Sequence, residues 1–536
     1  MSDDFLTSEQ TENYGRYVAD PNEVQLARYF HLDERDLAFI NQRRGKHNRL
    51  GIALQLTTAR FLGTFLPDPL QIPSFIRFYI AAQLNISRPE ILSRYAEREN
   101  TRWEHQGLIK LYYDYHDFGD FPWSFRLKRL LYTRAWLSNE RPGLLFDFAT
   151  AWLLQNKILL PAASTLTRLI GEVRERASRR LWRRLALLPD SWQKTQLDGL
   201  LEIPEGQRIS VLEEMRKGPV TISGPSFTDA LERYTRLRSM EFSRLNFSGL
   251  PAIQLRNLAR YAGMASVKYI SRMPDERRLA VLTAFVKAQE ISALDEAVDV
   301  LDMLILDITR SAKNIGQKKR LRTLKDLDRA ALLLARACTL LLDENTDEAA
   351  LRQAIFRRIP KDKLAESVGK VNELARPQDT HFQDEMVEQY GRVKRFLSAM
   401  LRDLHFQAAP AGELTLSAIH YLAELSGSKK RILDDAPEQI ISGPWKRLVY
   451  DRDGRILRAG YSLCLLERLQ DSLRRRDLWL ENSDRWGDPR QKLLQGAEWQ
   501  AQRIPVCRAL GHPSDGTKAA EQLATRLDDT DRKSVV

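Results

Sequence analysis

The chain has 536 residues, too many for a single hydrophobic core, so several domains are expected. Its 43% hydrophobic and 9% aromatic residues are enough to form buried cores and exclude a disordered or fibrous protein. Lysine and arginine outnumber aspartate and glutamate by 83 to 71, and the resulting net charge of +12 favours a polyanionic partner.

Cysteine usage and the first residues predict the compartment. Cys338, Cys464 and Cys507 are too few and too widely spaced for a disulfide framework or a zinc cluster. The amino terminus lacks a basic region followed by an apolar one, and no apolar stretch approaches about 18 residues. We therefore expect a cytoplasmic protein that is neither exported nor membrane-spanning.

The spacing of apolar residues predicts a mainly α, multi-domain protein, with at most a small β-hairpin near 447–458. The hairpin is expected because Asp453-Gly454 suits a tight turn between Arg447–Tyr450 and Arg455–Arg458. Turn-rich breaks divide the chain into a first region at 1–190, a helical scaffold or self-association region at 191–375, and a helical linker region at 376–536. Predicted helices cover 74–84, 124–138, 144–155, 164–188, 277–310, 324–342 and 384–404.

Two stretches, about 24–60 and 74–100, share a pattern typical of helix-turn-helix units. In each, a helix meets a turn with one aliphatic residue, and a second helix is expected to begin at Asp33 or Ser87 with an acid three residues later. Any two packed helices joined by a short turn give a similar pattern, so this alternative stays open. A weaker copy of the spacing occurs at 258–270.

Positive charge is concentrated in the first third of the chain. No acid occurs between Ile40 and Pro67, where five residues are basic. The segment 41–50 mixes Arg, Lys, His and Asn around Gly45, which suits contact with a phosphate backbone. A solvated loop is the alternative interpretation.

Residues 121–190 carry 13 basic and 5 acidic residues, and 164–188 predicts one amphipathic helix. Its arginines fall opposite an apolar stripe, diluted only by Glu172 and Glu175, so the pattern favours nucleic-acid contact over an ordinary solvated face. The stripe comprises Ile170, Val173, Ala177, Leu181, Leu185 and Leu188.

Farther along, apolar residues at 294–308 and 324–341 are separated by a basic link at 313–325. The spacing predicts a helix hairpin, packed inside the chain or used for self-association. Asp299, Asp302 and Asp307 are expected on a solvated helix face. We find no phosphate-binding glycine loop, dinucleotide motif, paired metal-binding histidines or nucleophile elbow.

Three motifs in order resemble the N-terminal half of the Tn3 family of transposases. They are the segment Arg43–Leu56, the segment Tyr269–Arg278, and Leu473–Leu480 followed by Ser483, Arg485 and Trp486. The resemblance runs from about residue 5 to about residue 532. One departure is Asn482, which stands where the family pattern has a glycine before the serine.

This resemblance implies binding to double-stranded DNA at transposon terminal inverted repeats, as part of DNA transposition. It also implies a ribonuclease-H-like domain with an Asp-Asp-Glu set and magnesium; we expect this chain to end before that domain, to carry no catalytic or metal site and to need no cofactor itself. A homodimer or pairing with a full-length transposase is a further expectation. The alternatives are a helix-turn-helix transcriptional regulator or an inert transposase remnant. The region 1–190 is the expected DNA-binding region. The expected DNA-binding residues are Arg43, Arg44, Lys46, His47, Asn48, Arg49, Arg88, Arg94, Arg126, Lys128, Arg129, Arg176, Arg179 and Arg183.

Overall fold

The computed structural model describes residues 5–342, 351–374, 382–428, 430–494 and 496–534. These residues are mainly helical, which confirms the predicted fold class. In chain order the helices are α1 (Ser8–Asn13), α2 (Glu23–Gln25), α3 (Glu34–Asn41), α4 (Lys46–Leu62), α5 (Ser74–Gln83), α6 (Leu92–Ala96), α7 (Glu99–Tyr113), α8 (Trp123–Leu137), α9 (Pro142–Gln155), α10 (Ala163–Ala186), α11 (Ser191–Gly199), α12 (Val211–Met215), α13 (Gly224–Arg238), α14 (Ala252–Met264), α15 (Val267–Ser271), α16 (Asp275–Leu341), α17 (Leu351–Arg358), α18 (Lys361–Leu374), α19 (Gln383–Glu388), α20 (Tyr390–Asp403), α21 (Glu413–Glu424), α22 (Lys446–Val449), α23 (Arg458–Arg475), α24 (Gly496–Leu510) and α25 (Gly516–Ser534).

The strands of the described residues are short and form two antiparallel pairs. The strands are β1 (Phe406–Ala408), β2 (Ile432–Leu433), β3 (Ile456–Leu457) and β4 (Leu478–Leu480). Phe406 pairs with Leu480 in the first sheet, and Ile432 pairs with Leu457 in the second. None of the described helices combines the length and apolar character needed to cross a lipid bilayer.

The chain forms two compact units. The first comprises Met1–Glu214 with Arg244–Ala288, and the second comprises Met215–Ser243 with Gln289–Val536. The backbone therefore passes between the units three times, the last time within α16. The predicted domain boundary at 375–376 lies outside the described residues.

In the first unit, the two stretches with the helix-turn-helix pattern pack into one hydrophobic core. Leu32 and Ile86, the aliphatic residues expected in the turns, are both buried in it. Asp33 caps α3 as predicted: its carboxylate accepts from the Asp36 N–H, and the Asp36 carboxylate accepts from the Asp33 N–H. The matching prediction for Ser87 and Glu90 is wrong. Pro89 holds the residue before it extended, and the chain enters a 3-10 turn at Pro89–Ile91 without a side-chain cap.

Asp36 also joins three helices through a buried ion pair. The carboxylate is 1% exposed and accepts from both terminal nitrogens of Arg60 on α4, at 2.7 and 2.5 Å. The Tyr113 hydroxyl on α7 donates to the same carboxylate at 2.7 Å. Burial opposes ionisation of Asp36, but the hydrogen bonds and charge of Arg60 outweigh it and lower the pKa of this carboxyl.

A second buried polar chain lies in the same core. Gln55 donates to the Tyr95 hydroxyl at 2.7 Å, and that hydroxyl lies 3.0 Å from Nδ1 of His105. Burial, reinforced by the positive charge of Arg43, lowers the pKa of His105 from 6.5 to about 4. The imidazole is therefore neutral at physiological pH.

The predicted helix hairpin at 294–341 is wrong, because α16 runs unbroken from Asp275 to Leu341 through the basic link. The link contains no proline, and its lysines, arginines and leucines are strong helix formers. A run of positive charge by itself does not end a helix. The hypothesis that such a hairpin mediates self-association therefore loses its structural basis.

The expectation of a solvated aspartate face on α16 is also wrong for two of its three residues. Asp299 accepts from the guanidinium of Arg485 and from the Trp486 indole N–H at 2.8 Å. Asp302 accepts from Arg474 Nε at 2.9 Å. Asp307, about half exposed, pairs with Arg392 at 3.3 Å. Within the second unit, the acidic face of α16 thus holds the end of α23 and the segment that follows it.

Asn482 adopts a backbone conformation that also suits glycine. Its φ is +64°, in the left-handed region that glycine favours and asparagine tolerates better than most residues. The following Ser483 donates its hydroxyl to Asp295 on α16. Asparagine at this position is therefore compatible with a turn of the kind that glycine makes.

The predicted hairpin near 447–458 is partly confirmed. The turn lies where expected, closed by the Asp451 N–H to the Arg455 carbonyl at 2.9 Å and by an antiparallel bridge between Tyr450 and Ile456. The residues before it are wrong as a strand, because α22 covers Lys446–Val449. Strand β3 pairs with β2 instead, with Ile456 opposite Leu433.

Replacing Arg60 with Met is expected to lower the free energy of unfolding by about 3–5 kcal/mol, because Asp36 stays buried without its partner. Urea denaturation of the full chain measures this change. Arg168→Met is the control: Arg168 and Glu172 are mostly exposed and 3.9 Å apart, so less than about 1 kcal/mol should be lost. Equal effects of the two variants would contradict the role given to the buried pair.

Stability is expected to fall as the pH drops from about 6.5 to about 4, because unfolded His105 binds a proton that the folded chain excludes. Thermal unfolding between pH 7 and pH 4 tests this dependence. His105→Gln retains an acceptor for Tyr95 but does not titrate, so its melting temperature should fall less over this range. Parallel curves for the two proteins would show that His105 is not responsible.

Candidate nucleic-acid interface

A basic groove lies between α8 and α10 in the first unit. The apolar stripe of α10 is buried as predicted, apart from half-buried Leu188, which fixes the rotation of the helix. With that stripe inward, Arg176, Arg179 and Arg183 are exposed on the other side. Helix α8 packs alongside through buried Leu127 and Leu131, and its Lys128 and Arg129 line the same groove.

The groove has a volume of about 1020 Å³ and a strongly positive lining. Seven of its side chains are basic and two are acidic, so its charge is suited to a polyanion. Apolar side chains contribute the rest of the lining. The charged residues are Lys128, Arg129, Arg176, Arg179, Arg180, Arg183, Arg184, Glu172 and Glu175.

The basic side chains of the groove differ in how they are held. Arg179 pairs with Glu175, and Arg183 lies 3.7 Å from Glu276. By contrast, Lys128, Arg129 and Arg176 have no carboxylate within ion-pair distance in the part of the chain that the structure describes. These three charges are therefore free to meet phosphate groups.

Arg180 and Arg184 were not among the expected binding residues, yet both line the groove. The Arg180 guanidinium lies over the Trp136 ring, 4.9 Å from its centroid, and donates to the Tyr132 hydroxyl at 3.0 Å. The Arg184 guanidinium lies 6.0 Å from the same ring. The charge run on α10 was the available signal, whereas the contacts with α8 appear only in the folded chain.

The structure brings five of the expected binding residues together in this groove: Lys128, Arg129, Arg176, Arg179 and Arg183. The lining does not include Arg126, which lies over the Trp123 ring at 5.2 Å. Exposed Arg88 and Arg94 belong to the second helix-turn-helix stretch. The residues of the 43–49 segment lie elsewhere, in the turn between α3 and α4 and in the first turn of α4.

Some side chains of that segment hold the local backbone, and others are exposed to solvent. Arg49 donates to the carbonyls of Arg43 and Asn41 at 3.0 and 3.2 Å, and Asn48 donates to the Arg44 carbonyl at 2.9 Å. Arg43 lies over the Phe39 ring at 5.4 Å, and His47 packs against Gly45, whose φ is +83°. Arg44 and Lys46 are exposed, so they remain the accessible charges of this loop.

Arg49→Ala is expected to lower the free energy of unfolding by about 1–3 kcal/mol, because two carbonyls lose a charged donor. Arg44→Ala and Lys46→Ala should change it by less than about 0.5 kcal/mol, since both side chains are exposed. Chemical denaturation of the three variants compares them directly. A stable Arg49→Ala variant would mean that the loop does not depend on these hydrogen bonds.

The amino-acid sequence of this chain is similar to those of known proteins. Residues 5–173 match a family model described as a domain of unknown function (DUF4158). The transposase for transposon gamma-delta of Escherichia coli (strain K12) is 78% identical over 530 residues, covering 99% of this chain and 53% of that protein. The transposase for transposon Tn501 of Pseudomonas aeruginosa is 28% identical over 505 residues, covering 94% of this chain and 51% of that protein.

The chain is similar to these two transposases over more than nine-tenths of its own length. It spans about half the length of the transposases that it matches. The transposase for transposon Tn1546 of Enterococcus faecium shows the same coverage, with 26% identity over 92% of this chain and 50% of that protein. The similarity thus extends across both compact units and is not confined to the first.

The described residues do not fit the magnesium site that the resemblance to transposases implies. Within them, no three histidine, cysteine, aspartate or glutamate side chains are grouped closely enough to hold a metal ion. Asp295, Asp299 and Asp302 follow one another along α16, but each accepts hydrogen bonds from the 470–486 segment. These carboxylates therefore hold the fold together, and we assign no metal to them.

Proposed function

We propose that this chain binds the duplex DNA of transposon terminal inverted repeats, as the DNA-recognition portion of a transposase acting in DNA transposition. The observation that carries the proposal is the α8/α10 groove, whose seven basic and two acidic side chains belong to a chain 78% identical to a transposase. In this proposal the chain corresponds to the N-terminal half of such a protein.

The basic side chains of the groove that have no ion-pair partner would make the main contacts with DNA phosphates. Lys128, Arg129 and Arg176 can neutralise phosphates without breaking an ion pair, and the release of condensed counterions favours binding. Arg179 and Arg183 are exposed, so exchanging their carboxylate partners for phosphate costs little free energy. The paired and unpaired basic side chains together would contact the sugar-phosphate backbone of the DNA.

The 43–49 segment of the first helix-turn-helix stretch and the exposed basic residues of the second stretch would supply a second contact with the same DNA. Arg44 and Lys46 are the accessible charges of the loop, and Arg88 and Arg94 are those of the second stretch. Side chains that contact phosphate position a protein without reading its sequence. We therefore assign these residues to orientation on the duplex.

The remaining steps of transposition belong to the same proposal. We assign magnesium-dependent cutting and joining of strands to the part of a transposase that this chain does not match. Self-association, or pairing with a full-length transposase, would bring two transposon ends together. Binding of this kind places the protein on DNA in the bacterial cytoplasm.

Replacing Lys128, Arg129 and Arg176 together with Ala is expected to make the dependence of binding on salt less steep. Each lost phosphate contact should reduce the slope of log affinity against log salt by about 0.9, so the triple variant should lose roughly 2–3. Fluorescence anisotropy of a labelled gamma-delta terminal-repeat duplex, titrated at several salt concentrations, measures the slope.

The matched control removes three exposed basic residues from the second unit, Lys446, Arg452 and Arg468. It lowers the net charge equally, but its slope should stay close to that of the unmodified chain. If both triple variants lose the same slope, net charge rather than the groove determines binding. If the unmodified chain shows no salt-dependent binding, the proposed function is wrong.

A further inference from the structure

The side chain of Arg180 is held in place on the wall of the groove. Its guanidinium stacks on the Trp136 ring, and one terminal nitrogen donates to the Tyr132 hydroxyl at 3.0 Å. The residue is nevertheless exposed and lines the groove. No carboxylate lies within ion-pair distance of it among the described residues, so its charge is not neutralised.

This environment differs from those of Arg176, Arg179 and Arg183 on the same helix, and Arg184, 6.0 Å from the Trp136 ring centroid, shares only the ring. Arg179 and Arg183 face carboxylates, and Arg176 has neither an ion-pair partner nor a ring beneath it in the described structure. A free arginine loses side-chain entropy when it binds, whereas a guanidinium already fixed by a ring and a hydroxyl loses less. Arg180 is therefore suited to a hydrogen-bonded contact in which the guanidinium must hold one orientation.

The geometry of the fixed guanidinium suits a ligand that presents two neighbouring acceptors, which on DNA means a phosphate group or a base edge. Tyr132 engages one terminal nitrogen, Nη1, which leaves the edge formed by Nε and Nη2 without a protein acceptor among the described residues. Two parallel N–H donors on a rigid plane match two neighbouring acceptors. On duplex DNA, the O6 and N7 atoms of guanine in the major groove form such a pair.

We propose that Arg180 reads a guanine base edge, and that Tyr132 and Trp136 are positioning residues that aim it. Lys128, Arg129 and Arg176 then hold the backbone. This inference rests on the proposed DNA binding and adds sequence discrimination to it at one named side chain.

The test compares Arg180→Lys with Arg176→Lys, because both variants keep the charge and remove the planar fork. Each full-length variant is titrated with a gamma-delta terminal-repeat duplex and with a duplex of the same base composition in scrambled order. Arg180→Lys should weaken binding to the repeat roughly tenfold or more and leave scrambled binding nearly unchanged. Arg176→Lys should change the two affinities by the same small factor.

Tyr132→Phe tests the positioning role without changing charge. Loss of the hydroxyl frees Arg180 to rotate about its ring contact, so the ratio of repeat to scrambled affinity should fall part of the way toward that of Arg180→Lys. The thermal unfolding midpoint should not change, which separates loss of aim from loss of folding.

The outcomes distinguish this inference from the proposed function. Salt-dependent binding without any change in the repeat-to-scrambled ratio in Arg180→Lys would overturn the inference and leave DNA binding intact. Equal weakening of both affinities would make Arg180 a phosphate contact and overturn it as well. Absence of binding by the unmodified chain would overturn both proposals.

Discussion

The first unit depends on the rotation of α10, because this helix serves two hydrophobic cores at once. Its first half packs Leu166 and Ile170 into the core shared with α8 and α9. Its second half packs Leu181 and Leu185 into a core with residues near 247–258. Burying one continuous stripe over 24 residues leaves no freedom to turn the helix, so the arginines must face outward.

That constraint explains why the groove combines apolar and basic side chains. Leu169 and Val173 lie at the edge of the buried stripe and contribute to the lining, while the arginines follow on the adjoining face. Helix α8 contributes Lys128 and Arg129 to the lining of the same groove. Because each helix is held by its hydrophobic core, the basic side chains of α8 and α10 converge on the groove. Among the described residues, no basic side chain of α8 pairs with an acid of α10.

The motifs that indicated the family are occupied mainly with holding the fold together. Gly51 lets Tyr95 pack against α4, where a β-carbon would overlap the ring. Arg278 pairs with Asp198 at 3.2 Å near the start of α16, and Arg485 and Trp486 fasten their segment to Asp299. The motifs on which the resemblance rests thus serve mainly to stabilise the fold. The groove residues that carry the proposed contact with DNA lie outside these motifs.

The sequence by itself determined the features that arise within a few residues along the chain. The buried stripe and outward arginines of α10, the Asp33 cap and the turn closed by Asp451 all follow from local periodicity or capping. Only the tertiary structure decided which charges are free and which are held. Arg180 meets Tyr132 across 48 positions, and Asp299 meets Trp486 across 187, distances over which periodicity carries no information. Side chains so far apart come together only when the helices pack, because packing of apolar faces selects the neighbours of each exposed charge.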